Sequence, residues 1–261
     1  MRGLIAFPCA GETLLGTLDE AAGTTGLLIV SGGNEIRIGS HRGMAMLAQR
    51  VAEAGYPVFR FDRRGIGDST GINGGFESSA EDIAAAVAAF RATGVTRIIA
   101  FGNCDAATSL AFYQARAGLD ALLLANPWTI ESSDDLPPAA AIRSHYAQKL
   151  RDPKEWLRLL RGGVNIGKIF RGLSKVSQKP SQDSASLAAR LGAALTSDTP
   201  TTILIAQGDN TAIAFADAFK APAFDGARAR VRVETLDSDS HSFASPSDKD
   251  WLFARVIAAL A

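Results

Sequence analysis

Residues 97–107 have the sequence RIIAFGNCDAA, and this stretch decides the fold of the chain. Its first five residues are largely apolar, which is typical of a buried parallel strand. Small residues follow in Gly102-Asn103-Cys104, and a helix-forming stretch runs from Asp105 to Ala115. Small side chains let a strand and a helix approach each other closely. The stretch therefore predicts a sharp strand-to-helix turn with Cys104 at its tip.

Strand and helix patterns alternate on both sides of this turn. Helical patterns are predicted at 41–54, 79–92 and 250–260. Strand patterns are predicted at 4–7, 13–18, 27–30, 57–61, 98–101, 121–125, 201–206 and 231–235. This alternation is typical of an α/β fold, in which helices cover both faces of a mostly parallel sheet. We therefore expect an eight-stranded, mostly parallel sheet.

The alternation is interrupted once. Between 127 and 199 the sequence shows helical but no strand patterns. A structureless loop of that length is implausible inside a compact domain. We therefore expect an α/β core formed by 1–126 and 200–261, with a helical cap or lid inserted over 127–199.

Charge is unevenly distributed along the chain. The 27 basic and 27 acidic residues give zero formal net charge. Between Arg143 and Arg190, however, 11 residues are basic and three are acidic, so this segment has a charge of +8 and the rest −8. The basic face of the cap is either the solvated side of a lid helix or a surface for an anionic carrier, an anionic saccharide or a membrane. Nucleic acid is not expected, because no recognition motif accompanies the charge.

Other classes of protein receive no support from the composition. Cys9 and Cys104 are far apart in the sequence and form no C-x-x-C pair, so neither a disulfide framework nor a metal site is predicted. No window of about 18 apolar residues predicts a transmembrane helix. The apolar stretch at the start is too short for a signal peptide and is better explained as a strand. We expect a cytoplasmic protein without a cofactor.

Cys104 lies where a nucleophile would be presented if the turn is a nucleophile elbow. A cysteine nucleophile needs a base, and the base needs an orienting group. His241 follows the last predicted strand, and Asp209 follows the strand before it. The order Cys, Asp, His along the chain is that of a triad whose members meet at the carboxyl edge of the sheet. We therefore predict Cys104 as nucleophile, Asp209 as orienting acid and His241 as base.

Each assignment has an alternative, which for His241 is a solvent-exposed loop histidine. Cys104 is otherwise a buried, unreactive thiol. Asp209 is otherwise the cap of the helix that starts near Thr211. Asp237 and Asp239 are the other candidate acids, although they are so close to His241 in sequence that orienting its ring is harder.

An oxyanion hole needs two donors. The backbone N–H groups of Asp105 and Gly33 are the predicted pair, and the sequence leaves Asn34 open as a substitute for Gly33. The start of a helix and His241 should both favour the thiolate of Cys104. The Asp105 carboxylate would oppose it only if it faced the sulfur, and successive side chains at a sharp turn point apart. Further candidates for contacts to the substrate or the thiol are Asn34, Glu35, His41 and Asn103.

A second motif supports a family resemblance. Residues 59–69, FRFDRRGIGDS, are similar to the D-x-R-G-x-G-x-S stretch of the α/β-hydrolase superfamily, which the chain resembles over nearly its whole length. More narrowly, residues 32–33 with 38–42, 104–107 and 209–212 resemble the exosortase A system-associated hydrolases. Those bacterial proteins are linked to exopolysaccharide loci. The resemblance implies a Cys–Asp–His triad and no particular substrate.

A cysteine at this turn is also found in dienelactone hydrolases. In that family a glutamate near the oxyanion loop contacts the resting thiol, and Glu35 occupies a comparable place in the sequence. The long insert argues against that family, which is more compact. Glu35 therefore stays outside the predicted triad.

The sequence as a whole favours a cysteine-dependent acyl hydrolase. Its substrate would be a small-molecule ester or thioester, and a link to exopolysaccharide or exosortase systems follows from the resemblance alone. Two alternatives stay open: an acyltransferase with the same triad, and a catalytically silent hydrolase fold that serves as a binding protein.

Overall fold

The structure is a computed structural model that describes residues 1–130 and 186–261. Most of the predicted cap over 127–199 lies outside the described residues, including every basic residue counted between Arg143 and Arg190 except Arg190 itself. No helix in the two described ranges has the length and apolar character needed to cross a membrane.

The described residues form one eight-stranded sheet. Its strands are β1 (Arg2–Cys9), β2 (Glu12–Asp19), β3 (Thr25–Val30), β4 (Val58–Phe61), β5 (Arg97–Asn103), β6 (Ala121–Ala125), β7 (Thr201–Ala206) and β8 (Arg232–Leu236). The spatial order is β1-β2-β4-β3-β5-β6-β7-β8. β2 is antiparallel to both of its neighbours, and the other pairings are parallel. The predicted mostly parallel sheet is confirmed.

Helices connect the parallel strands. The α-helices are α1 (Gly43–Glu53), α2 (Ala80–Arg91), α3 (Asp105–Ala117), α4 (Leu187–Ala194), α5 (Asn210–Ala218), α6 (Asp225–Arg228) and α7 (Pro246–Leu260). Short 3₁₀ turns occur at Ser40–Arg42, Phe76–Ser78 and Pro222–Phe224. α4 falls inside the range predicted as the cap, and its Leu191 is buried in the same apolar cluster as Phe224.

Two apolar cores lie on opposite faces of the sheet. In β3, Leu28 belongs to a cluster with Ile83 of α2 and Leu110 of α3. Its neighbour Leu27 belongs to a second cluster that includes Val256 of α7. Successive side chains of a strand point to opposite faces. The continuous apolar runs of the central strands are therefore explained by burial on both sides.

The D-x-R-G-x-G-x-S stretch organises the loop that follows β3. The fully buried carboxylate of Asp62 accepts the backbone N–H of Arg37 at 2.6 Å and pairs with the guanidinium of the same residue. Ser69 donates its hydroxyl to the Asp62 carbonyl oxygen at 2.7 Å. Gly67 has to be small, since a Cβ there would lie 2.3 Å from the Asp62 carboxylate. The motif thus anchors a loop that borders the candidate site.

Candidate active site

The predicted sharp turn lies between β5 and α3, with Cys104 at its tip. Cys104 has φ 62° and ψ −128°, a conformation that non-glycine residues seldom adopt. Such outliers persist only when the surrounding structure holds them. Here the Cys104 N–H donates to the Ala125 carbonyl at 2.9 Å, and the Cys104 carbonyl accepts from Trp128 at 3.2 Å. A Cβ on Gly102 would approach Ala106 to 2.9 Å, so the turn also requires a glycine there.

The structure brings together the three residues predicted as a triad. Nδ1 of His241 lies 3.1 Å from Oδ1 of Asp209, and the imidazole is close enough to the Cys104 side chain for that side chain to raise the pKa of His241. The second carboxylate oxygen of Asp209 accepts the Ala212 N–H at 3.0 Å, at the start of α5. Asp209 therefore caps a helix and also contacts the imidazole, while its role as orienting acid stays a prediction.

The His241 imidazole is the most perturbed base of the site. The hydrogen bond to Asp209, followed by that to Cys104, raises the pKa of His241 from 6.5 to about 10, although partial burial acts in the opposite direction. The imidazole is therefore protonated at neutral pH. A protonated imidazole beside the sulfur can give its proton to a leaving group.

Contacts within the loop hold His241 in place. Ser238 donates its hydroxyl to the Asp248 carboxylate at 2.7 Å, and the buried Phe243 ring stacks on Trp251 at a centroid distance of 6.0 Å. Asp239 packs against Gly208, where a Cβ would lie 3.1 Å from it. Of the carboxylates considered as orienting acids, Asp209 is the one that the structure pairs with the imidazole.

The loop after β3 has a geometry that sequence reasoning missed. The Gly33 N–H, a predicted oxyanion donor, donates to both carboxylate oxygens of Asp105, at 2.8 and 3.0 Å. On the other side of the same loop, the buried Arg63 guanidinium donates to the Gly33 carbonyl and to the Ser79 hydroxyl. Burial lowers the pKa of Arg63, and the nearby Asp105 carboxylate opposes that effect. The oxyanion role of Gly33 stays a prediction, and its N–H is engaged in this structure.

A cavity of about 220 Å³ adjoins Cys104 and His241. Its lining mixes apolar side chains with short polar ones. Among the described residues it is lined by Val30, Ser31, Gly32, Gly33, Glu35, Ser40, Met44, Phe101, Asn103, Cys104, His241, Ser242 and Phe243. A cavity of this size accommodates a small acyl or alcohol group next to the sulfur.

The four further contact candidates occupy different places. Glu35 and Asn103 line the cavity, and the Glu35 carboxylate accepts the Ser40 N–H at 2.5 Å. Asn34 instead accepts a hydrogen bond from Asn73, at 2.8 Å between the two side chains. His41 is exposed in the 3₁₀ turn before α1. Contacts from these residues to a substrate stay predictions.

No cluster of three or more potential metal ligands occurs within residues 1–130 and 186–261.

Comparisons with known proteins place the chain in a family. The chain is similar over 99% of its length to a Pyrococcus furiosus esterase, Pf2001, with a TM-score of 0.66, 15% identity and coverage of 89% of that chain. It is similar over 100% of its length to DcsB, a structure in complex with a substrate analogue, with a TM-score of 0.65, 15% identity and coverage of 99% of DcsB. The α/β hydrolase GrgF from Penicillium sp. gives a TM-score of 0.64 at 17% identity, with coverage of 100% of this chain and 98% of GrgF.

Similarity at these identities shows a common fold. No curated protein matches the chain. The model of the alpha/beta hydrolase family matches residues 27–255, which is most of the sequence. The chain belongs to the alpha/beta hydrolase family.

Proposed function

We propose that the protein is a cysteine-dependent acyl hydrolase that acts on esters or thioesters. The observation that supports this most directly is the position of His241 between Cys104, at a strained strand-to-helix turn, and the Asp209 carboxylate. Nucleophile, base and orienting group within hydrogen-bond reach form the arrangement that nucleophilic catalysis requires. The name of one similar structure, an esterase, favours an ester as the electrophile.

The proposed reaction has two halves. The Cys104 thiolate attacks the carbonyl carbon, and the oxyanion forms near the N–H groups of Asp105 and Gly33. His241 gives its proton to the leaving alcohol or thiol as the carbon–oxygen or carbon–sulfur bond breaks, which leaves a thioester on Cys104. His241 then takes a proton from water as the water oxygen attacks the thioester; the carbon–sulfur bond breaks, the acid is released, and the Cys104 thiolate and the His241 imidazolium are restored. When a thiolate adds to an amide, the tetrahedral intermediate expels the thiolate again more readily than it expels the amide nitrogen. Activated esters and thioesters have better leaving groups, so they suit this nucleophile better than amides do.

Three finer assignments rest on sequence alone. Residues 32–33 with 38–42, together with 104–107 and 209–212, support a place among the exosortase A system-associated hydrolases. The segment between Arg143 and Arg190 has 11 basic and only three acidic residues. This positive charge supports an anionic carrier or a membrane surface as partner. A cytoplasmic location belongs to the same set of proposals.

Thiol labelling tests the proposed nucleophile even when the substrate is unidentified. Burial, together with a hydrogen bond to Asp82, raises the pKa of the other cysteine, Cys9, to about 12, so that thiol should react slowly. We expect rapid incorporation of one iodoacetamide per chain at pH 7, with the label lost in Cys104→Ser and retained in the control Cys9→Ala. Equally fast labelling in Cys104→Ser would refute an activated Cys104.

Turnover distinguishes the hydrolase from its alternatives. p-Nitrophenyl esters and acyl-coenzyme A thioesters should be hydrolysed by the wild type and not by Cys104→Ala or His241→Ala. Formation of a new ester or amide with an added alcohol or amine, faster than hydrolysis, would identify an acyltransferase. Absence of turnover on every ester and thioester, with a partner bound equally well by both variants, would identify a binding protein.

A further inference from the structure

Asn126 is a buried polar residue to which the reaction scheme assigns no role. It follows β6 directly, is completely buried, and has φ 42°, a left-handed backbone conformation that is uncommon for a residue with a side chain. Asparagine is one of the few non-glycine residues that adopt this region routinely, at some energetic cost that glycine would avoid. Asn126 therefore combines a strained backbone with a buried amide. The hydrogen bonds of that amide indicate its role.

The Asn126 amide is hydrogen-bonded on both sides. Its Oδ1 accepts the backbone N–H of Ala206, at the end of β7, at 2.9 Å. Its Nδ2 lies 3.2 Å from Oδ1 of Asn103 and 3.4 Å from the carbonyl oxygen of His241. Asn103 in turn donates from its own Nδ2 to the same His241 carbonyl at 2.9 Å. Two side-chain amides thus converge on one backbone oxygen.

These contacts join the segments of all three candidate triad residues. Asn103 immediately precedes Cys104 at the turn. Ala206 begins the turn that holds Asp209, since the Asp209 N–H donates to the Ala206 carbonyl at 3.0 Å. The third segment is the loop of His241 itself. A satisfied network of buried amides is rigid, because any displacement leaves polar groups unpaired in a medium of low dielectric.

We propose that Asn126 is a positioning residue of the site. Through Asn103 it fixes the main chain at His241, so that the imidazole stays between the Cys104 thiol and the Asp209 carboxylate. This inference rests on the proposed function, because it assigns Asn126 to the geometry of the Cys104–His241 pair. Catalytic geometry is sensitive to displacements of about 1 Å, which cost roughly a hundredfold in rate.

Gln114 provides a matched control for a purely structural effect. It is also a buried amide, which donates to the carbonyls of Ala111 and Ala194, each at 2.9 Å, and accepts from the Ser197 hydroxyl at 2.9 Å. It lies nine residues along α3 from Asp105, which is about 13 Å at 1.5 Å per residue. Loss of this amide should therefore destabilise the fold without moving the imidazole.

The experiment measures the alkylation rate of Cys104 by iodoacetamide, which requires no substrate. Asn126→Gly removes the amide and keeps a backbone that glycine adopts without strain. We expect this variant to react at least about tenfold more slowly than the wild type at pH 6.5, with the half-maximal pH of alkylation moved upward. Gln114→Ala should react within about twofold of the wild type even where urea unfolding shows a comparable loss of stability.

Failure of the proposed function and failure of the positioning role of Asn126 would give different alkylation rates. If His241→Ala is alkylated at the wild-type rate, the Cys104–His241 pair, and with it the proposed function, is refuted. If His241→Ala is slowed but Asn126→Gly is not, or if Gln114→Ala is slowed as much as Asn126→Gly, the positioning role is refuted. Should Asn126→Gly fail to fold, Asn103→Ala removes the partner amide from a half-buried position, and the same rates decide the question.

Discussion

The Asp105 carboxylate and the Gly33 N–H are hydrogen-bonded at 2.8 and 3.0 Å, one distance for each carboxylate oxygen. An oxyanion donor has to point at the place where the oxygen of the reacting carbonyl becomes negative. If Gly33 is that donor, the carboxylate occupies the place of the oxyanion. Turnover then requires Asp105 to leave the Gly33 N–H, and its negative charge opposes that of the oxyanion.

Neutralising Asp105 is therefore expected to raise turnover. Asp105→Asn keeps an oxygen that accepts a hydrogen bond from the Gly33 N–H. It removes the negative charge, however, so this hydrogen bond is weaker and the Gly33 N–H is more easily freed for the oxyanion. We predict a rise in kcat/KM for p-nitrophenyl acetate of about three- to tenfold, as expected for one partly solvent-exposed charge near the reacting oxygen when a water-like dielectric screens it. The control is Asp198→Asn, an exposed residue paired with Arg230 at 2.6 Å, which should leave kcat/KM unchanged. A tenfold loss in Asp105→Asn would show that Asp105 supports the loop and that Gly33 is not the donor.

The pH dependence of turnover should reflect the His241 imidazolium, which donates the proton to the leaving group. Since hydrogen bonds to Asp209 and Cys104 raise the pKa of His241 to about 10, kcat/KM should fall only as the pH rises through about 10. Asp209→Asn removes the larger cause, so the fall should move toward the ordinary value of 6.5. If kcat/KM of the wild type and of Asp209→Asn falls at the same alkaline pH, the pairing of His241 with Asp209 would be contradicted.

The same shift has a consequence for stability. A pKa that is higher in the folded state stabilises the fold fully below 6.5, and this contribution is lost as the pH rises through about 10. The free energy of unfolding in urea should therefore fall between pH 6.5 and pH 10.5 in the wild type, relative to that of His241→Ala. A difference that is constant over this range would contradict the raised pKa.

The two contacts of Asp209 can be separated by substitution. Serine is about as good a helix cap as aspartate but cannot orient an imidazolium through a charged carboxylate. We predict that Asp209→Ser unfolds in urea with a free energy about 1 kcal/mol above that of Asp209→Ala. Both variants should lose kcat by a factor of roughly 10² to 10⁴. If Asp209→Ser retained the wild-type kcat, Asp209 would act as a helix cap and would have no role in orienting His241.

The close approach of strand and helix at the turn predicts the effect of one methyl group. A Cβ on Gly102 would lie 2.9 Å from both the Ala106 backbone and the Leu110 side chain. We expect Gly102→Ala to lower the free energy of unfolding by about 1 to 3 kcal/mol, the usual range for overpacking. Gly43→Ala in α1 meets no heavy atom within 4 Å and should be neutral or slightly stabilising. Equal stability of the two variants would contradict the tight turn.

Local patterns were sufficient to predict most of the sheet. The strand predicted at 98–101 extends over Arg97–Asn103, and the helix predicted at 79–92 spans Ala80–Arg91. These predictions succeeded because burial of a strand or helix face leaves a periodic signal in neighbouring residues. The approach of Cys104, Asp209 and His241 could be predicted because parallel strands bring their carboxyl ends to one edge.

Contacts across the site lay beyond such reasoning. The hydrogen bond from Asn103 to His241 joins residues 138 positions apart and depends on the order and register of the strands. The direction of the Asp105 side chain depends on where the loop with Gly33 lies, and that loop is fixed in part by the buried Arg63. Nothing periodic in the sequence marks residues of this kind, so Asn126 and Arg63 were not found.

The most direct test of the central claim is the covalent intermediate. The protein is mixed with p-nitrophenyl butyrate, quenched in acid within the first turnovers, and analysed by intact-mass and peptide mass spectrometry. A Cys104 nucleophile predicts one butyryl group per chain, located on Cys104 and absent from Cys104→Ala, which should also have no turnover. Wild-type turnover in Cys104→Ala, or a butyryl group on another residue that disappears at the rate of turnover, would contradict the account.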